Sequence, residues 1–87
     1  MTEKSFCVIT FPSTHQALRL ESRAARERVA VQIIPVPRQI SSSCGLAGRF
    51  SCEDQKKIES LCQKNNIQWE EFYRFYTDPS RPPEIIE

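Results

Sequence analysis

The sequence predicts an α+β sandwich, one antiparallel sheet with two helices packed on one face. Three observations predict it. The hydrophobic pattern alternates as β-α-β-β-α-β, with four short apolar or aromatic runs and two stretches of helical period. Each helical stretch opens on a serine suited to capping, Ser13 and Ser51. Pro35 and Pro37 fall at the end of the second run, and proline confines a strand to a sheet edge or terminus because it cannot donate to a ladder. This order fits the ferredoxin-like split β-α-β sandwich, whose strands lie 4-1-3-2 and whose second strand is an edge.

Each element has its own signal. Residues 5–11, Ser-Phe-Cys-Val-Ile-Thr-Phe, are β-branched and aromatic and stop at Pro12. A run so uniformly apolar reads as a strand buried on both faces. Ser13 followed three residues later by Gln16 forms a capping box, so a helix starts there and runs to about Val29. Ala17, Leu20 and Ala24 form its apolar stripe, while Arg19, Arg23 and Arg26 lie on another, solvated face. Residues 30–36 form the second strand and residues 46–50 a short third. Ser51 then precedes Glu53 and Asp54, acids that the helix dipole favours in a first turn. Ile58, Leu61 and Cys62 form the buried stripe of this second helix, and Asn65-Asn66 ends it. Residues 67–76 are the last strand, rich in aromatics that serve core packing with some turned outward. The domain is therefore 1–76. Residues 77–87, with Pro79, Pro82 and Pro83, are expected to be a flexible tail outside the core.

Composition narrows the function. The chain has 87 residues, which is one domain with a thin core. No apolar run approaches the roughly 20 residues of a membrane helix. The N-terminus lacks a secretion signal, so the expected location is cytoplasmic. Residues 1–49 hold seven basic and three acidic residues, and residues 50–87 hold five and eight. That polarity is too weak to mark a nucleic-acid binder. The third strand, with one aromatic, also lacks the pattern by which RNA-recognition domains of this topology stack bases. The four cysteines, Cys7, Cys44, Cys52 and Cys62, contain no CxxC pair. With a single histidine they do not suggest zinc, and without an export signal they do not suggest disulfides. Cys7 and Cys62 read as small buried apolar residues.

Cys44 stands apart. It sits in residues 37–50, Pro-Arg-Gln-Ile-Ser-Ser-Ser-Cys-Gly-Leu-Ala-Gly-Arg-Phe, which hold both glycines of the chain, Gly45 and Gly48. Glycine permits positive φ and close backbone approach. The topology brings the end of the first strand, the start of the first helix and the turn between strands two and three to one sheet edge. Ser13, Thr14 and His15 then share an edge with Ser41, Ser42, Ser43, Cys44 and Gly45. A thiolate near a helix N-terminus, Arg38, Arg49 or a protonated His15 is stabilised and is a better nucleophile. Cys44 is thus the candidate nucleophile and His15 a candidate partner for its thiolate. Ser13, Thr14, Arg38, Ser41, Ser42, Ser43, Gly45 and Arg49 are candidate supports. The plainer readings are a polar loop for Ser41, Ser42 and Ser43 and a solvated His15. Cys52 also lies near a helix start, but at the opposite end of the sheet.

Two stretches carry a resemblance. Thr10-Phe11-Pro12-Ser13-Thr14-His15 with Ala17-Leu18 and Glu21, then Pro37-Arg38-Gln39-Ile40-Ser41-Ser42-Ser43-Cys44-Gly45-Leu46-Ala47, resemble a family of small bacterial proteins described as selenium/sulfur carrier-like. The resemblance extends to about Tyr76. It implies that Cys44 carries the sulfur or selenium, and the family's threonine-histidine maps onto Thr14 and His15. Many members of that family have a larger apolar residue where this chain has Gly48, a change expected to loosen the third strand.

The function expected is a carrier that holds sulfur or selenium on Cys44 as a persulfide or perselenide, and is more a carrier than an enzyme. Its partners would be a desulfurase-like protein donor and an acceptor enzyme. No cofactor, metal, nucleic acid or membrane is expected to take part, and a homodimer is left open. The alternative is a redox-responsive regulatory or interaction module that uses the same cysteine.

Overall fold

The computed structural model describes residues 5–86. Its elements are β1 (Ser5–Thr10), α1 (Thr14–Arg26), β2 (Gln32–Pro35), β3 (Leu46–Phe50), a 3-10 turn at Cys52–Asp54, α2 (Gln55–Lys64), β4 (Phe72–Tyr76) and β5 (Glu84–Ile86). The sheet order is β2-β3-β1-β4-β5. This is the predicted ferredoxin-like arrangement with a fifth strand added beside β4. Every pairing is antiparallel. Among the described residues β2 pairs only with β3, and it ends at Pro35, so it is the edge strand that its prolines require.

Alternation along the strands sorts the side chains into two clusters. Cys7, Ile9, Phe11, Phe50 and Phe72 face the helices and pack with Ala17, Leu20, Ala24, Ile58, Leu61 and Cys62. On the other face Val8, Ala47 and Phe75 are buried beneath Phe6, Ile34, Val36, Ile40 and Tyr73. Both faces of β1 are therefore covered, as its unbroken apolar run predicts. The open face is covered by the strands' own aromatics and by the loop after β2, with Phe6 stacked on Phe75 at 5.4 Å.

Both helices end in the same way. Past Ala24 and Ala25 the chain turns through Arg28 at φ 60°, and the Val29 amide donates to the Ala24 carbonyl at 2.9 Å. Past Cys62, Asn66 takes φ 55° and the Ile67 amide donates to the Cys62 carbonyl at 2.8 Å. These are Schellman closures. Asparagine tolerates the left-handed region, so α2 stops where the sequence indicates. α1 stops before Val29 because Arg28 takes a conformation that its residue type does not announce. Arg19, read as part of a solvated face, instead donates to the carbonyls of Asn65 at 2.7 Å and Asn66 at 3.2 Å. It places a cation at the negative end of α2.

At the start of α1 only half of the predicted capping box forms. The Gln16 amide donates to Ser13 Oγ at 3.4 Å, while the Gln16 side chain accepts from the Gln68 amide at 3.1 Å. Ser51 caps the 3-10 turn rather than α2 itself, accepting from the Glu53 amide. The last strand starts at Phe72 rather than at residue 67. Residues 67–71 form a connecting segment that buries Ile67. Among the described residues no helix is long and apolar enough to cross a membrane.

Two expectations are corrected. The four cysteines do not all stay free, because Cys7 and Cys52 form a disulfide with Cα atoms 5.0 Å apart. Cys7 lies opposite Phe50 on β3, and two residues later the chain turns Cys52 back over β1. That proximity comes from strand register, which a sequence separation of 45 does not reveal. Closing a loop of that size restricts the unfolded chain by about 4 kcal/mol in the chain-entropy account. The C-terminal segment, read as a tail, supplies β5, whose Ile86 packs against the helix-side core. Tyr76 donates its hydroxyl proton to Glu84 at 2.8 Å, and the Arg81 guanidinium lies 3.7 Å above the Tyr76 ring. Two isoleucines among prolines are a weak strand signal, and a hairpin built on ring and hydroxyl contacts leaves no periodicity to detect.

Removal of residues 77–87 should therefore destabilise the domain by about 1–2 kcal/mol, the scale of one partly buried isoleucine and its cross-strand pairs. Urea unfolding of the truncated and full chains measures this. An unchanged midpoint would return the segment to the status of a tail.

Candidate functional site

The loop that carries Cys44 joins β2 to β3 and is built by local hydrogen bonds. The Val36 amide donates to the Gly45 carbonyl at 3.1 Å and closes its base. Within it, the Ile40 amide donates to the Pro37 carbonyl at 3.2 Å, making a proline-led turn. Ile40 and Val36 turn to the open face of the sheet, where they pack on the Val8–Phe75 cluster. Cys44 and Leu46 pack instead against the helix-side core. The loop therefore wraps around the end of the sheet.

A carboxylate holds it there. Ser42 Oγ lies 3.1 Å from the Phe11 carbonyl and 3.3 Å from Glu70 Oε1. The Ser43 amide donates to Glu70 Oε1 at 3.1 Å, and the Ser43 hydroxyl donates to Glu70 Oε2. Glu70 is fixed in turn by the end of β1. Its amide donates to the Thr10 carbonyl at 2.7 Å, and the Thr10 amide donates to the Glu71 carbonyl at 3.0 Å. The Thr10 side chain is fully buried and accepts from the Glu71 amide at 3.1 Å. The donors of Ser43 hold the Glu70 carboxyl below its ordinary range.

The Cys44 amide lies 3.4 Å from Ser42 Oγ, and its thiol donates to the Leu46 carbonyl at 3.4 Å. The side chain is free and half-buried. Ser41, Ser42, Ser43 and Glu70 line a shallow polar hollow of about 310 Å³ beside it. The remaining cysteines differ. Cys7 and Cys52 are joined, and Cys62 is buried, its thiol pushed up to about 12 by desolvation and then by Glu59.

The predicted supports divide. Ser42 and Ser43 hold the loop. The Ser42 bond to Phe11 ties the loop to the residue two before Ser13, so the α1 N-terminus and the Cys44 loop occupy the same end of the sheet. Ser13 is occupied in capping α1, and Thr14 and His15 are exposed on its first turn. The bonds that tie the loop run to Phe11 and Glu70, not to His15. Arg38 and Ser41 are exposed and line a groove with Ile40, Tyr73 and Ile85. Arg49 is not beside Cys44. It projects from the open face, with its guanidinium 3.9 Å above the Phe6 ring, because strand alternation turns it away from the face on which Cys44 packs.

The glycines also act differently from expectation. Neither takes a positive φ. A Cβ on Gly45 would meet no atom within 4 Å, whereas one on Gly48 would lie 3.1 Å from Ile9 Cγ2 and 3.3 Å from Val31 Cγ1. Gly48 makes room in the core rather than loosening β3. Glu70 is the residue that the sequence reading missed. Its only linear signal is an acid just before an aromatic strand, and its partners lie 27 and 28 residues away.

A folded-state carboxyl held below its unfolded value adds stability that is present above the unfolded range and is lost as pH falls through the folded value. The Ser43 amide should thus be protected from hydrogen exchange at neutral pH and lose protection in acid, after exchange rates are corrected for intrinsic pH dependence. Glu70→Gln should remove this acid step. Followed by NMR, a Ser43 amide equally protected across that range, or an acid step that persists in the variant, would show that Glu70 is not the tether.

No curated protein and no solved structure is detectably similar to the chain. A family model described as "Putative Se/S carrier protein-like" matches residues 6–74, a span that contains β1, the Cys44 loop and Glu70. With most of its length matched, the chain belongs to that family.

Proposed function

We propose that the protein is a non-catalytic carrier that holds sulfur or selenium on Cys44 and delivers it to an acceptor protein. One observation supports this most directly. Of the four cysteines, Cys44 alone is both free and partly exposed. Membership of the carrier-like family supports the same reading.

In loading, the Cys44 sulfur attacks the terminal sulfur of a donor persulfide. The new S–S bond forms at Cys44, the donor's S–S bond breaks, and its electron pair leaves on the donor thiolate. The thiol proton, which rests against the Leu46 carbonyl, ends on that leaving thiolate. The products are a Cys44 persulfide and a donor thiol. A perselenide donor transfers selenium by the same exchange. Delivery repeats the step with an acceptor thiolate attacking the outer atom. Neither step needs a metal or an added oxidant. Ser42, Ser43 and Glu70 keep the loop at the sheet edge, where a partner's active site can reach the sulfur.

Incubation with a cysteine desulfurase and cysteine, followed by peptide mass spectrometry, tests the reading. One added sulfur is expected on Cys44, absent in Cys44→Ser, and lost again on addition of a thiol acceptor. Sulfur spread evenly over Cys52 and Cys44 would refute it. So would capping of Cys44 that never passes to an acceptor, which is the outcome expected of a redox-responsive module.

A further inference from the structure

The second sulfur centre of the molecule lies toward the opposite end of the sheet from the Cys44 loop, where Cys7 faces Phe50 at the end of β3. The disulfide partners differ in exposure there. Cys7 is fully buried within β1, while Cys52 is half-exposed on the 3-10 turn that leads into α2. Cys7 has two cross-strand neighbours, Phe50 on β3 and Arg74 on β4. Directly opposed residues of an antiparallel pair place their Cβ atoms about 5 Å apart on the same face. Arg74 thus begins its side chain beside Cys7, on the face that packs under the helices. Among the described residues its Nε is buried without a hydrogen-bond partner. A buried donor without a partner is costly, and a cationic one more so. The structure sets the residue that bears this group directly across the strand pair from Cys7, whose sulfur carries no charge while the disulfide is closed.

We infer that Cys7–Cys52 is a thiol–disulfide exchange site, in which Cys52 is the sulfur attacked, Cys7 the leaving thiolate and Arg74 the cation that receives its charge. The co-reactant is a dithiol reductant. One of its thiolates attacks Cys52 Sγ, forming a mixed disulfide and breaking the Cys7–Cys52 bond, with the electron pair departing on Cys7. The reductant's second thiolate attacks its own sulfur in the mixed disulfide and releases Cys52. Two electrons and two protons pass to the protein, and the reductant leaves as its disulfide. Burial disfavours a thiolate at Cys7, and a neighbouring guanidinium offsets that cost. Arg74 acts through charge and is a positioning residue for the leaving sulfur. This site is independent of sulfur loading at Cys44. Opening it would free a second accessible thiol, Cys52, at the opposite end of the sheet.

The test uses the full chain in a Cys44→Ser background, so that loading at the loop plays no part. The protein is equilibrated in glutathione disulfide and mapped by peptide mass spectrometry, and reduction by dithiothreitol is then followed. A Cys7–Cys52 linkage that opens in the folded protein is expected. Arg74→Gln should slow reduction about tenfold and Arg74→Lys should largely restore it, with all three alike in urea. In Cys7→Ser, glutathione should be captured on Cys52, whereas Cys7 in Cys52→Ser should stay unmodified. Free Cys7 and Cys52 under glutathione disulfide would overturn the inference. So would a linkage that opens only on unfolding, capture at Cys7, or an Arg74→Gln rate equal to the parent's.

Discussion

The clasp between Thr10 and residues Glu70 and Glu71 is the contact on which the Cys44 end of the molecule depends. Thr10 is the last residue of the central strand and the one buried polar side chain among the described residues. Its amide, carbonyl and hydroxyl are all satisfied by the segment before β4. A buried hydroxyl left unpaired would cost about 1–3 kcal/mol, so the clasp fixes where that segment runs. Glu70 then faces outward from a rigid base, and its carboxylate gathers Ser42 and Ser43. The strand end, the connecting segment and the loop form a chain of hydrogen bonds that ends at Cys44.

The four cysteines are separated by environment rather than by sequence motif. One is held in a covalent pair by register, its partner by a turn, one is sealed among Ile58 and Leu61 on α2, and one is left at the rim. A carrier needs this selectivity. On the proposed reading, sulfur placed on several thiols at different ends of the molecule would not reach one acceptor site. Closing Cys7 with Cys52 and burying Cys62 leaves Cys44 as the thiol that a partner can meet.

Much of the fold was legible in the sequence because it rests on local signals. The proline pair put β2 at an edge, Ser13 capped α1, and Asn65-Asn66 ended α2. What was not legible depends on partners distant in the chain. The disulfide follows from Cys7 standing opposite Phe50. Arg49 was expected beside Cys44, yet strand alternation turns it onto Phe6. Arg28 in a left-handed conformation and Ile86 in a three-residue strand gave no composition cue. At the candidate site, the loop itself points to Cys44 and its serines. Glu70 could not, since nothing in its own neighbourhood points to Ser43.

The most direct test of the central claim is a count of reactive thiols in the native, unreduced protein, followed by time-resolved alkylation and peptide mapping. The account predicts one fast-reacting thiol, Cys44. Cys62 should react only on unfolding, and Cys7 and Cys52 only after reduction. A native protein in which Cys44 is unreactive, or in which a second cysteine is alkylated at the same rate, would contradict it.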